Sequence, residues 1–368
     1  MQRELSPFIV MDILKLAQEI PDVVHLEIGE PDLEPPPGVI ERLNWAVSKG
    51  LFNYTPSLGL WELRERIAKH YREYYGVDID PNRVVITTGT SSAFLVAYSI
   101  LFDIGERVAL ADPSYPCYKN FAHLLGVEPV FVNVDESTNY QITPEHLEGL
   151  DIKGVHISSP SNPTGTLYDE ENLKALCEYC RERNIYLISD EIYHGLVYEG
   201  KERTALEFWD RAIVINGFSK FFCMPGFRLG WMILPEDLIR RAEVVMQNIY
   251  ICAPTLSQYS ALGAFDYDYL SKVKETFKRR RDLLYEGIKD ILPIKGKPSG
   301  AFYLWADISK YSQDAYEFCL EVLKGAKVAL TPGIDFGKNQ TNHFVRLAYT
   351  RKEEELREAI SRLREFLS

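Results

Sequence analysis

Lys220 is placed for amine chemistry. It closes the stretch Asn216-Gly217-Phe218-Ser219-Lys220 and is followed by Phe221, Phe222, Cys223 and Met224. A short apolar run, residues 212–215, delivers it into a small-residue turn. Apolar surroundings disfavour the ammonium form, and a neutral amine attacks carbonyl carbon, so Lys220 is a candidate Schiff-base former. Arg228 follows eight residues later in Pro225-Gly226-Phe227-Arg228-Leu229-Gly230-Trp231, placed to bind an anion belonging to the same ligand. A surface lysine and arginine flanking a loop would show the same spacing, so the other clusters decide.

Thr88-Gly89-Thr90-Ser91-Ser92 joins a β-branched run at 83–87 to a helical pattern at 93–102. Strand, small-residue turn and helix together make an anion site, because the free N–H groups and the dipole of the helix start both attract negative charge. The turn has neither GxGxxG spacing nor a Walker lysine. Asp190 ends an apolar run at 185–189, where a carboxylate also suits a helix cap, and Tyr193 follows three residues on. Arg346 stands alone in the apolar run Phe344-Val345-Arg346-Leu347-Ala348-Tyr349. A guanidinium there either pairs with a structural acid or grips a carboxylate with two parallel hydrogen bonds, as an α-amino-acid substrate would need.

The elements that position these groups alternate between strand and helix. Strand patterns fall at 23–28, 83–87, 107–111, 129–134, 154–158, 185–189 and 212–215; helical patterns fall at 7–19, 39–49, 60–75, 93–102 and 170–183. Several strand patterns end in turns: Gly29-Glu30-Pro31-Asp32, Asp112-Pro113-Ser114-Tyr115-Pro116 and Ser159-Pro160-Ser161-Asn162-Pro163-Thr164-Gly165. The carboxyl ends of strands are where α/β sheets hold their ligands. From 235 the pattern shifts to long helices (236–249, 254–265, 268–291), then to a smaller mixed unit with strands at 301–307, 328–331 and 343–349 and helices at 313–324 and from 352. The shift marks a second domain, giving an N-terminal arm at 1–45, a large domain at 46–250 and a small C-terminal domain at 251–368.

Composition bounds the function. The chain has 368 residues, 46% hydrophobic and 26% charged, with net charge −12 and pI near 5.2. An acidic surface argues against nucleic acid as a partner. No apolar run reaches the roughly 18 residues of a membrane span. The opening Met1–Pro7 lacks the charged-then-apolar layout of a secretion signal, so a cytoplasmic protein is expected. Six cysteines are scattered, and Cys177 and Cys180 share a helical pattern without a second pair, so all six read as reduced thiols and no metal site is expected.

The lysine stretch and the turns before and after it resemble, in order, the motifs of class I/II aminotransferases, pyridoxal-phosphate (PLP) enzymes of fold-type I. The resemblance runs from Gly29 to Arg346 and includes Thr331-Pro332-Gly333 and Phe336-Gly337. It implies an α/β fold: a large domain with a mostly parallel seven-stranded sheet sandwiched by helices, plus a smaller α+β domain. Lys220 would carry the cofactor and move a proton between Cα and C4′. Asp190 would keep the pyridine nitrogen protonated, and Tyr193 would donate to O3′. Gly89, Thr90, Ser91, Ser219 and Arg228 would hold the phosphate, joined by Tyr54 of the neighbouring subunit, which implies a homodimer with a shared site. Tyr115 would stack on the ring. Asn162 would contact O3′ and the substrate carboxylate, with Arg346 and the Gly29 backbone completing the substrate site. One departure is visible, Gly217 where the family often has a phosphate-binding serine.

The reaction implied is ping-pong transfer of an amino group from an L-α-amino acid to a 2-oxo acid such as 2-oxoglutarate. A carbon–sulfur β-lyase uses nearly the same residues, and a non-catalytic PLP-binding effector domain would need a fused DNA-binding unit. The donor's side chain stays open between aspartate, aromatic, alanine and broad specificity. No second arginine is evident for a distal carboxylate, and Tyr115 and Phe227 would shape an apolar pocket.

Overall fold

The structure, a computed structural model, describes residues 5–295 and 297–368, so the first four residues of the expected arm lie outside it. The chain opens with α1 (Ile9–Gln18), β1 (Val24–His25), α2 (Pro37–Ser48) and α3 (Trp61–Tyr75). An alternating stretch follows: β2 (Val84–Thr87), α4 (Gly89–Leu101), β3 (Arg107–Asp112), α5 (Cys117–Leu125), β4 (Glu128–Asn133), α6 (Pro144–Leu147) and β5 (Gly154–Ser158). It continues through α7 (Glu170–Glu182), β6 (Tyr186–Asp190), β7 (Ile213–Gly217) and β8 (Gly230–Ile233). The rest is α8 (Glu236–Ile249), α9 (Thr255–Ala261), α10 (Tyr267–Ile288), β9 (Tyr303–Asp307), α11 (Ala315–Ala326), β10 (Val328–Ala329), β11 (Thr331–Pro332), β12 (Phe344–Ala348) and α12 (Glu353–Phe366).

Seven strands form one sheet in the order β2-β8-β7-β6-β5-β3-β4. Only β8 runs antiparallel to its neighbours β2 and β7. Continuous apolar runs such as Ile213-Val214-Ile215 suit a sheet covered on both faces. Val85, Ile188, Ile213, Ile215 and Met232 pack with α4, α5 and α8 on one face. Val84, Ile86, Leu187, Val214, Trp231 and Ile233 build the larger core on the other. With this sheet the expected α/β fold of the type I PLP enzymes is present.

A second sheet, β11-β12-β9, is antiparallel and carries Arg346 at the centre of its middle strand, opposite Trp305 and Thr331. A two-stranded parallel pair joins β1 to β10. The expected strands at 23–28 and 328–331 are thus shorter than their patterns. Beyond Leu26, which still bonds to the backbones of Ala329 and Ala348, the carbonyls serve side chains instead of a ladder. Glu27 O accepts from Arg346, Ile28 O from Thr350 Oγ1, and Gly29 O from Lys220. Helix α4 starts at Gly89, four residues before its expected start, with the small residues Gly89 to Ser92 forming a first turn whose N–H groups have no intrahelical partner. Strand β8 and helix α5 were not separated out by pattern.

The two sheets are tied at the end of β3. Asp112 accepts from the Lys338 amide at 3.0 Å and the Asn339 amide at 3.2 Å, while Asn339 Nδ2 returns bonds to the carbonyls of Asp112 and Val134. A Cβ on Gly337 would fall 1.8 Å from Asp112 Oδ1, so the clasp requires glycine there. Cys177 and Cys180 are buried in α7, and burial raises both thiols, Cys180 to about 12. No helix among the described residues is long and apolar enough to cross a membrane.

Candidate active site

Lys220 lies three residues past the end of β7, where its amine donates to Gly29 O at 2.8 Å. The rings of Tyr193 and Phe302 lie 6.0 and 5.6 Å from Nζ. Desolvation by this wall, then the positive charge of Arg346, lower the amine from 10.5 to about 8. The desolvating groups differ from those the sequence suggested. Phe222 packs instead against Phe218, Trp231 and Phe265, and Phe221 lies against Gly195, where a Cβ would come within 2.2 Å of its ring.

Across the cavity, Arg346 is buried on β12. Its Nη1 donates to Asn162 Oδ1 at 2.9 Å, and Nη2 donates to Glu27 O at 2.8 Å and Thr331 Oγ1 at 3.3 Å. Its Nε has no hydrogen-bond partner among the described residues, and the guanidinium stacks 4.3 Å from the Tyr303 ring. An aligned guanidinium with an unspent buried donor has the chemistry to receive a carboxylate. Gly29 faces Tyr303 so closely that a Cβ would lie 2.2 Å from Oη. Close approach, not an unusual backbone angle, explains this glycine.

Asp190 is buried at the carboxyl end of β6 and accepts from the Tyr118 hydroxyl and from the Ile192 amide at 3.1 Å. Burial pushes its carboxyl up to about 6, while the Tyr118 bond holds it back. Tyr193 and Tyr303 share a 2.7 Å hydroxyl pair. Sequence reading missed both Tyr118 and Tyr303. Tyr118 had a usable signal, standing three residues beyond Tyr115 at the start of α5. Tyr303 had none, being 110 residues from Tyr193.

The expected anion end is the first turn of α4, with Gly89 at φ +70. A Cβ on Gly89 would stand 2.7 Å from Arg228 Nη2, so a bare backbone lets the guanidinium approach the helix start. Gly217 fits the same logic. A Cβ there would sit 3.2 Å from Gly230 Cα, Ile192 Cδ1 and Leu229 O, which leaves a serine at this position no free space.

One cavity of about 300 Å³ is lined by Gly29, Thr90, Tyr115, Asn162, Asp190, Tyr193, Lys220 and Arg346. Gly89, Ser91 and Ser219 flank lining residues in the chain, and Arg228 comes up to them through Gly89. Tyr54, expected to serve the neighbouring subunit's site, is 76% exposed and lines no part of its own chain's cavity. One expectation falls outside. Phe227 lines a separate surface hollow with Leu43 and Leu256, because the turn at 225–228 directs it away.

The family model for aminotransferase class I and II matches residues 21–363. The chain belongs to this family. It is 41% identical to the (5-formylfuran-3-yl)methyl phosphate transaminase of Methanocaldococcus jannaschii, covering 98% of this chain and 97% of that protein. It is 38% identical to the valine–pyruvate aminotransferase of Mycobacterium tuberculosis, covering 99% and 97%. A crystal structure of an aminotransferase from Mycobacterium tuberculosis superposes with a TM-score of 0.95 at 38% identity, over 99% of this chain and 97% of that one. This aminotransferase is therefore a PLP-dependent transaminase, as the motif order implied. Its residues fit the cofactor: an anion cradle at Gly89 that a Cβ would fill, a lowered amine at Lys220 and a buried carboxyl at Asp190.

Proposed function

We propose that in this aminotransferase Lys220 is the general base and Arg346 holds the α-carboxylate of both the L-α-amino acid and the 2-oxo acid. What carries this reading is the lowered Lys220 amine in one cavity with the unpartnered Arg346 Nε. When bound, PLP supplies an aldehyde that condenses with amines and a ring that accepts negative charge from Cα. Arg346 and Asn162 orient the substrate carboxylate, with the Gly29 backbone beside them. Lys220 Nζ takes the Cα proton and returns it, a task suited to an amine near neutral pH. Asp190 would hold a proton on the ring nitrogen, and the Tyr118 bond favours the charged carboxylate that this needs. Tyr193 would donate to the ring hydroxyl and Tyr115 would cover the ring.

The phosphate would rest on the Gly89, Thr90 and Ser91 amides, Ser219 and Arg228. A second copy of the chain would add Tyr54. The exposed apolar residues Trp45, Phe52, Ile249 and Ile251 support a face between copies. The relative named for valine and pyruvate supports an α-amino acid and a 2-oxo acid as the substrate pair.

Visible absorbance of the PLP-loaded protein tests the assignment. An amino acid should discharge the cofactor band and a 2-oxo acid should restore it. Lys220→Ala should bind the cofactor without turning over, and wild-type turnover in that variant would refute the role. Sedimentation should show a dimer, and Tyr54→Phe should speed cofactor release.

A further inference from the structure

We propose that this site selects amino acids and 2-oxo acids with neutral apolar side chains over dicarboxylic ones, and that the N-terminal helix α1, seated by Asp335, supplies the selecting wall. The inference rests on the aminotransferase reading and assigns the donor class that reading leaves open.

With the α-carboxylate at Arg346 and the reacting amine at Lys220, the substrate's side chain must lie against what remains of the cavity. That wall is Phe8, Val10, Met11 and Leu14 of the α1 segment, together with Ile28 and Phe336. Among the described residues lining the cavity, Lys220 and Arg346 are the cations, and both are committed to the reacting end. Three carboxyl groups, Glu27, Asp190 and Asp335, face them. A substrate bringing a second carboxylate would have to desolvate it against aliphatic carbon, with no further cation among the described residues of this chain that line the cavity to meet it.

The wall is held in place by design of the fold. Helix α1 begins at Ile9 behind Phe8, whose side chain gives no cap. Its first amides instead donate across the cavity rim to Asp335, Ile9 N to Oδ1 at 3.1 Å and Val10 N to Oδ2 at 3.2 Å. A carboxylate at a helix start satisfies otherwise free N–H groups and matches the dipole. Just upstream, Ser6 and Asn120 exchange two hydrogen bonds at 3.1 Å, which ties the segment to α5 on the opposite wall. Phe8 then lies 6.3 Å from the Tyr115 ring. The apolar face of α1 is thus fixed over the pocket at both sides of its first turn.

The test uses the PLP-loaded enzyme and a donor panel of leucine, methionine, phenylalanine, aspartate and glutamate, read as the rate of cofactor-band discharge. The neutral donors should exceed the acidic ones by about 100-fold or more in kcat/KM, the scale at which an apolar pocket discriminates or beyond. The unreactive acid 3-phenylpropionate should perturb the band at concentrations about 100-fold below succinate. Leu14→Arg, and Met11→Arg as an independent variant, should each shrink the leucine-to-aspartate ratio by about tenfold or more by placing a guanidinium on the wall. Aspartate or glutamate converting as fast as leucine would overturn the selection. An unchanged ratio in both arginine variants would overturn the assignment to α1. Failure of every donor would instead refute the aminotransferase reading, and this inference with it.

Discussion

A buried amine titrating near 8 should be visible in the cofactor-free protein. An amine at about 8 is neutral in roughly one molecule in ten at pH 7, whereas a lysine at 10.5 is neutral in roughly one in 3,000. At pH 7 the neutral fraction of Lys220 should therefore exceed that of an ordinary lysine about 300-fold, a gain in acylation rate that the lower nucleophilicity of a less basic amine partly offsets. Competitive labelling with trace acetic anhydride from pH 6 to 11, read peptide by peptide by mass spectrometry, gives the midpoint of each lysine. The Lys220 signal should climb with pH and level off above about 9, where an ordinary exposed lysine side chain with a pKa of about 10.4 is still rising. Arg346→Gln gives a second arm. Arg346 is the leading charge that lowers this amine, so its removal should move the Lys220 midpoint upward. Burial, the larger cause, would remain and keep the midpoint below the ordinary lysine value. A wild-type midpoint at the ordinary lysine value, or no movement in Arg346→Gln, would refute the account of a desolvated, cation-flanked base.

Three other substitutions probe the rest of the site. Tyr118→Phe removes a hydrogen bond to a buried carboxylate, worth about 1.5–3 kcal/mol, so kcat should fall about tenfold or more and the Asp190 carboxyl should titrate higher. An unchanged kcat and pH profile would show that the bond is idle. Gly29→Ala drives a methyl into Tyr303 Oη and so disturbs the Tyr193–Tyr303 pair; amino-acid KM should rise and urea melts should report a loss of about 1–3 kcal/mol. Gly89→Ala crowds Arg228 at a residue with φ +70, so fluorescence titration should find PLP bound about tenfold more weakly or worse, with native circular dichroism.

Much of this site was legible because its groups sit on short turns at strand ends, where side-chain type and order carry the chemistry. Lys220, Asp190, Asn162 and Tyr115 follow β7, β6, β5 and β3, and all four line the same cavity. Six strands of the large sheet were legible for a related reason, since most read as largely apolar runs, whereas β8 did not stand out and the count of seven came from the family resemblance. What escaped was set by tertiary partners. Glycines such as Gly29 and Gly217 mark close approaches whose other member is distant in the chain. The apolar residues after Lys220 looked like its lining, yet the turn sends Phe221 and Phe222 into the core and brings Tyr193 and Phe302 to the amine. Helix α1 has a plain amphipathic pattern, and nothing in it states that one face covers a reactive cavity. That follows only from Asp335, some 325 residues downstream.

The clasp between Asp112 and the amides of Lys338 and Asn339 sets how this enzyme will fail on warming. Lys220 and Arg346 belong to sheets that share no strand, so their spacing depends on such junctions rather than on either ladder. A junction of one carboxylate and two amides opens at a lower free energy than a buried sheet unravels. Heat should therefore blur the choice among substrates while the ellipticity of the fold is still intact. A screen that ranked variants by melting temperature alone would pass proteins whose two halves no longer agree on where a carboxylate belongs.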